Sequence, residues 1–393
     1  MVRPFGDREI VRKPDSETAM LKTCPSHPSP QPDVCESCAM IARRRRGRRN
    51  GALVFLALAI PVAAISAYLF TRPKHVPPPP PRAMDELETD MRARLAHEPC
   101  EHRTTINLVE HLMEQNLYDV ALADAYRSIG QCGRIGVLPW RITYMHQVRH
   151  EWVQAAFMST TLLDEDPRDS DFWWWRGEAF AYADHPWPAL ADYRQSLANS
   201  DGAQAGAFAA ARFKAPVEAV GARCEGARAW HFYVRALGGE MTQEARDDYA
   251  ALVRAGTCSP EDGTGRGRVR IDAMSGMGQA VAQVNDIAGA FTIDPAAGTT
   301  VVSRAFAAKA GLETLSNDRG TTLYGGAIVS GQPARATITV EGATATNVDV
   351  LVSDDLQPQE DGVIGLSFLW HFDFGSDGAT LTLAPPSSDL AQR

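Results

Sequence analysis

The sequence has no P-loop, no dinucleotide fingerprint, and no Ser/His/Asp or Cys/His set in a family-like frame. Those absences exclude phosphate-cradling and triad chemistry as first readings. An excess of positive charge is also missing. The formal net charge is −9 over 393 residues, which argues against general nucleic-acid binding. Cysteine is sparse, with seven in the chain. One stretch lacks charge altogether: residues 51–70 read GALVFLALAIPVAAISAYLF. That is the length of apolar helix needed to cross a hydrocarbon core of roughly 30 Å, and Pro61 is tolerable within such a helix.

Arg43, Arg44, Arg45, Arg46, Arg48 and Arg49 stand just before this run, and only Arg72, Lys74 and Arg82 follow at similar range. The positive-inside rule then places residues 1–50 in the cytoplasm and 71–393 across the membrane. A cleaved signal peptide is the alternative. Its n-region would be far too long, and no A-x-A site closes the apolar run. A basic nucleic-acid patch is the other reading of the arginines, disfavoured by where they sit. The cysteines divide at the same point. Cys24, Cys35 and Cys38 precede the run, and Cys100, Cys132, Cys224 and Cys258 follow it. Reduced thiols suit metal in a cytoplasm, and an even number outside suits disulfides.

In the tail, Cys24, His27, Cys35 and Cys38 form C-x2-H-x7-C-x2-C. Three sulfurs and one imidazole complete a tetrahedral zinc shell. The spacing resembles short zinc-ribbon or B-box-like tails before membrane helices in some bacterial proteins. Zinc held within residues 20–40 is therefore the expectation. The alternative is a proline-rich tail with incidental cysteines.

A Pro-rich linker spans 71–83, and its run Pro77 to Pro81 suits a stiff polyproline spacer. From 84 to 260 the pattern is helical and repeats. Ala121, Ala155 and Ala189 lie 34 residues apart in similar frames. With Trp173, Gly177, Phe180 and Tyr193 they resemble the large and small positions of a tetratricopeptide repeat. The run Trp173-Trp174-Trp175 reads as core before it reads as a ligand platform. Cys100 and Cys132 fall at neighbouring ends of one expected helix hairpin, and Cys224 and Cys258 at those of another. Two bridges follow, Cys100 to Cys132 and Cys224 to Cys258; buried free thiols are the alternative.

Beyond the glycine-rich run at 263–267 the periodicity changes to short β-branched segments at 269–271, 280–284, 336–340, 348–352 and 379–383. They predict an all-β domain over 265–386. Within it, Gly289-Ala-Phe-Thr-Ile-Asp294 and the loop to Phe306, followed by Ala310-Gly311-Leu312, resemble the catalytic strand and loop of retropepsin-like aspartic proteases. Asp361-Gly-Val-Ile-Gly365-Leu resembles that family's second signature, an apolar-apolar-Gly run beside the catalytic loop. Tyr324-Gly325-Gly326 stand where the substrate-covering flap hairpin falls.

The resemblance implies Asp294 as the catalytic carboxylate and a homodimer through this domain to supply the second one. It implies no cofactor for this domain. The family's Asp-Thr-Gly is here Asp294-Pro295-Ala296. Pro295 lacks the hydroxyl that braces two such loops. Ala296 adds a Cβ where glycine lets a backbone donor approach the carboxylate. Asp354, Asp355 and Asp361 read as turn or strand-end carboxylates. The order of the parts also resembles bacterial envelope proteins. The whole expectation is multidomain: a tetratricopeptide-like solenoid plus an all-β retropepsin-like domain with one transmembrane helix. It would sit in a bacterial inner membrane with its C-terminal domains periplasmic. The functions implied are a peptidase-family protein of weak or lost proteolysis, or a non-catalytic scaffold that binds polypeptide through its repeats.

Overall fold

The computed structural model describes residues 82–133, 135–256, 263–357 and 359–386. The apolar run at 51–70, expected to cross a membrane, and the residues expected to bind zinc, Cys24, His27, Cys35 and Cys38, lie outside them. Among the described residues no helix is long and apolar enough to cross a membrane, and no group of His, Cys, Asp or Glu is placed to hold a metal. The expected fold class is corrected accordingly. The described architecture is helical and β, without a membrane helix, and the single-pass, inner-membrane placement derived from that helix is dropped with it.

Three helical hairpins open the repeat region after α1 (Glu86–His97). They are α2 (His102–Glu114) with α3 (Tyr118–Cys132), α4 (Leu138–Val148) with α5 (Trp152–Glu165), and α6 (Ser170–Tyr182) with α7 (Pro186–Ala198). The same device turns each hairpin. Asn116, His150 and Asp184, again 34 residues apart, take positive φ of 59°, 58° and 62°. In each case the next amide reaches back to the helix, as in Leu117 N–H to Leu112 O, Glu151 N–H to His146 O and His185 N–H to Phe180 O. This is a helix C-terminal motif with a left-handed residue that is usually glycine. Ala121, Ala155 and Ala189 are fully buried one turn into the second helix of each hairpin. Gly177 faces Tyr193 so closely that a Cβ would lie 2.9 Å from its ring. Trp173 and Trp175 are buried, and the Trp173 indole N–H donates to Pro167 O at 2.8 Å; these two belong to the core. Cys100 and Cys132 are bonded as expected. Cys224 is also disulfide-bonded, and its expected partner Cys258 lies outside the described residues.

Helices α8 (Ala203–Arg212), α9 (Lys214–Ala219), α10 (Arg223–Arg235) and α11 (Gln243–Gly256) complete the helical part. The β-domain then runs β1 (Gly263–Thr264), β2 (Gly267–Arg270), β3 (Gly278–Val284), β4 (Ile287–Ile293), β5 (Thr300–Ser303), α12 (Arg304–Lys309), β6 (Gly320–Tyr324), β7 (Ala327–Val340), β8 (Ala343–Ser353), β9 (Gly362–Ile364), α13 (Leu366–Leu369), β10 (Asp373–Ser376) and β11 (Thr380–Ala384). Its main sheet has the order β1-β8-β5-β9-β4-β3-β7-β6, and an added β7–β8 pairing closes it on itself. β10, β11 and β2 form a small second sheet. Phe291, Ile338 and Val350 of the strands pack with Phe306 of α12 and Phe368 of α13 in the domain's main apolar core.

The helical and β parts are not separate beads. Leu366 and Trp370 of the β-domain sit in the same apolar cluster as Tyr193, Phe213 and Trp230 of the helices. Helix α7 is buried on all sides from Pro188 to Leu197.

Candidate active site

Strand β4 lies between β3 and β9, pairing parallel to β9 with Ile293 opposite Ile364. It delivers Asp294 at its end, where the Asp294 N–H donates to Ile364 O at 2.9 Å. The loop 294–299 then turns back into β5. Gly365 holds this loop in place. Its Cβ, if present, would lie 2.5 Å from Ala297 O, and the following Leu366 N–H donates to that same carbonyl at 2.7 Å. Thr300 and Ser367 complete the brace, with Gly365 N–H to Thr300 Oγ1 at 3.1 Å and Thr300 N–H to Ser367 Oγ at 2.9 Å. The apolar-apolar-Gly run thus packs beside the loop, as the sequence pattern suggests.

Asp294 is 6% exposed. Burial pushes its carboxyl above the ordinary value, while the Ala296 and Ala297 N–H groups pull it back down. The Ala296 N–H donates to Asp294 Oδ1 at 2.9 Å. That corrects the expectation from sequence: the added Cβ of Ala296 does not remove the backbone donor. What Pro295 removes is the bracing hydroxyl and its own main-chain N–H.

The hairpin of β6 and β7 turns at Gly325 and Gly326, both with positive φ, as a two-residue hairpin turn requires. Tyr324 folds back from it. Its hydroxyl donates to Glu360 Oε1 at 2.8 Å and lies 3.3 Å from Thr292 Oγ1. Burial raises the phenol's pKa, and the charges of Glu360 and Asp294 add to that. Tyr324 and Asp294 therefore share one electrostatic neighbourhood, with Thr292 on the same strand as the aspartate. Gly325 and Gly326 have open space around them. Asp354, Asp355 and Asp361 lie elsewhere: Asp354 pairs with Arg304, Asp355 accepts from Ser330 N–H, and Asp361 accepts from Ala290 N–H.

Sequence reasoning missed the residues that α7 brings here. The Gln195 side-chain amide nitrogen, Nε2, donates to Ala296 O at 2.8 Å. Its Oε1 accepts from Gly298 N–H at 2.8 Å, Leu323 N–H at 2.7 Å and Thr322 Oγ1 at 2.7 Å. Asp192 accepts from Arg176 at 2.7 and 2.8 Å and from Thr321 at 3.1 Å. Arg194 donates to Glu225 at 2.8 Å and also to Asp349. These partners lie up to 155 positions away, so no local pattern announces them. The homodimer expectation gains no support. The face of the Asp294 loop and the hairpin strand is covered by the chain's own α7.

His371, fully buried beside this seam, is held well below the ordinary imidazole value by burial, with the Arg228 and Arg194 charges adding to the effect. It stays neutral when folded, whereas the unfolded chain takes a proton near pH 6.5. Below that pH the unfolded state binds more protons, so stability is lost as pH falls toward the folded value. The slope from this one group reaches about 1.4 kcal/mol per pH unit. Urea unfolding at pH 7 and pH 5.5 should show the loss, and His371→Leu should flatten it. Asp294 acts in the opposite sense lower on the scale, because its raised pKa adds stability as pH falls toward 3.8.

The aspartyl protease family model matches residues 280–368. No curated protein matches the chain. Among solved structures, a tetratricopeptide repeat protein from Parabacteroides merdae is 17% identical, over 43% of this chain and 65% of that one, with a TM-score of 0.35. A retropepsin-like aspartic protease from Rickettsia conorii is 20% identical, over 30% of this chain and 90% of that one, with a TM-score of 0.23. MamA is 12% identical, over 43% of this chain and 99% of that one, with a TM-score of 0.33. The chain spans just under two thirds of the length of the first of these. The matched segment runs from β3 through the Asp294 loop and the Gly365 run, so this part of the β-domain is similar to aspartyl proteases, and it follows helical hairpins that repeat every 34 residues.

Proposed function

We propose that this chain binds polypeptide and that its aspartic protease domain has weak or no endopeptidase activity. The observation that carries this is the loop at Asp294. Peptide hydrolysis by this chemistry needs two carboxylates sharing one proton, to activate water. Asp294 is pushed up by burial, and only backbone N–H groups pull against it. The loop that would meet a second copy lacks the bracing hydroxyl and is covered by α7 through Gln195. A competent peptidase is the second reading. It is favoured by the retained Ala296 N–H donor and by the hydroxyl of Tyr324 close by. The zinc expectation for Cys24, His27, Cys35 and Cys38 stands as a separate proposal for the tail.

The two readings separate in a binding experiment. A fluorescently labelled unfolded polypeptide should bind the purified chain, with its anisotropy rising and saturating, and should be recovered intact. Recovery of the probe as fragments, in a manner that Asp294→Asn abolishes, favours the peptidase. No binding at any concentration contradicts the polypeptide-binding reading.

A further inference from the structure

The gap between the Asp294 loop and the hairpin strand β6 is lined by main-chain polar groups. Gly298 N–H and Leu323 N–H converge on one point from its two sides, and Ala296 O faces the same space. Left empty and dry, these groups would each cost the price of an unmade hydrogen bond. One side-chain amide satisfies all three. Gln195 presents a carbonyl oxygen to the two N–H groups and an N–H to the carbonyl. A carboxamide carries the same donor and acceptor as a peptide unit, and an extended polypeptide laid in the gap would offer them in the same way.

The approach is close. A Cβ at Gly298 would lie 2.5 Å from the Gln195 main-chain nitrogen and 2.6 Å from its Cα, so glycine is what lets the helix backbone reach the loop. Ala296, whose carbonyl receives the Gln195 amide, also donates its N–H to the Asp294 carboxylate. The amide is therefore held one residue's polar groups away from the aspartate.

We infer that Gln195 is an internal substitute for one peptide group of a bound polypeptide, so that α7 keeps the gap beside Asp294 closed and a polypeptide enters it only by displacing Gln195. This rests on the reading that the β-domain takes polypeptide. The helix is tethered rather than loosely laid, since Asp192 and Arg194 anchor it on either side of the same turn. An entering polypeptide therefore has to loosen α7 as it displaces Gln195.

The test is amide hydrogen exchange at Gly298 and Leu323 in the full chain, with acetylated and amidated random-sequence 12-residue peptides as the probe. In the natural sequence both amides should exchange slowly. In Gln195→Ala they should exchange faster by about tenfold or more, and peptide should slow them again. Unchanged exchange in a folded variant overturns the inference, because Gln195 would not be the seal. Faster exchange that peptide does not reverse also overturns it, because the gap would not read a main chain. Should Gln195→Ala not fold, the natural chain answers instead: saturating peptide should speed exchange along 186–198, and no change there refutes displacement. Mass spectrometry of the peptides in the same tubes tests the preceding reading separately, since Asp294-dependent cleavage would contradict weak proteolysis without touching the seal.

Discussion

Replacing Arg194 by methionine is expected to destabilise the folded chain by about 3–5 kcal/mol. Arg194 is 2% exposed and joins Glu225 of α10 to Asp349 of β8, with Trp370 packed at 5.5 Å from its guanidinium carbon. Methionine keeps most of the volume and removes the charge. Two carboxylates then stay buried with less compensation. Asp349 retains Arg335 at 3.0 Å, and Glu225 retains Arg228, which places the loss within that range rather than above it. Denaturant unfolding of the natural chain and the variant gives the number. Changing Asp349 to Asn and Glu225 to Gln alongside Arg194→Met should recover much of it, because a buried ion cluster replaced as a whole costs far less than one broken open. A loss below about 1 kcal/mol for the single variant would mean that the cluster is wet and the seam looser than described.

The second large effect is expected at Gly298. Alanine there would meet main-chain atoms of α7, at 2.5 Å from Gln195 N and 2.8 Å from Arg194 C. A flexible side chain can swing away, but helix backbone cannot. Either the loop retreats from α7 or the helix is pushed off, and both break the Gly298 N–H to Gln195 bond. The expected cost is about 3 kcal/mol or more, at the upper end for overpacking. Gly375→Ala is the control, since nothing lies within 4 Å of a Cβ there, and surface changes of that kind usually stay within about 0.5 kcal/mol. Adding Gln195→Ala to Gly298→Ala should not rescue stability, because the clash is with backbone. Rescue would place the conflict in the side chain and revise how the helix approaches the loop.

The helical repeat was legible because it repeats. Ala121, Ala155 and Ala189 marked the 34-residue period, and the positive-φ turns at Asn116, His150 and Asp184 carry the same period in the three non-glycine residue types that adopt that conformation most readily. The strands at β3, β7, β8 and β11 were legible from β-branched runs, and Asp294 from its frame. Short β1 and β10 were not, since two to four residues carry too little periodicity; β6 and β9 were legible only from the family frame.

The contacts that helix α7 makes with the β-domain were the largest omission. Asp192, Arg194, Gln195 and Ser196 are polar residues clustered on one helix, yet all four are buried. Their partners are Arg176, Thr321, Glu225, Asp349 and the loop at Ala296 and Gly298. Polar residues are buried when such partners exist, and a hydrophobic pattern cannot see partners more than a hundred positions away. The signal present was the density of polar groups in a helix that also carries the small Ala189 and Ala191. The effect of Ala296 was misjudged for a different reason. A Cβ constrains what approaches from one side, while the N–H points the other way and still reaches Asp294.

Weak or absent peptide cleavage at Asp294 is the proposal on which the functional reading rests. The most direct measurement is incubation of the purified chain and its Asp294→Asn variant with a pool of unstructured peptides at acidic and neutral pH, followed by mass spectrometry of the products. The account predicts the same, near-background product set for both proteins at every pH. Cleavage sites that appear with the natural chain and vanish with Asp294→Asn would contradict it.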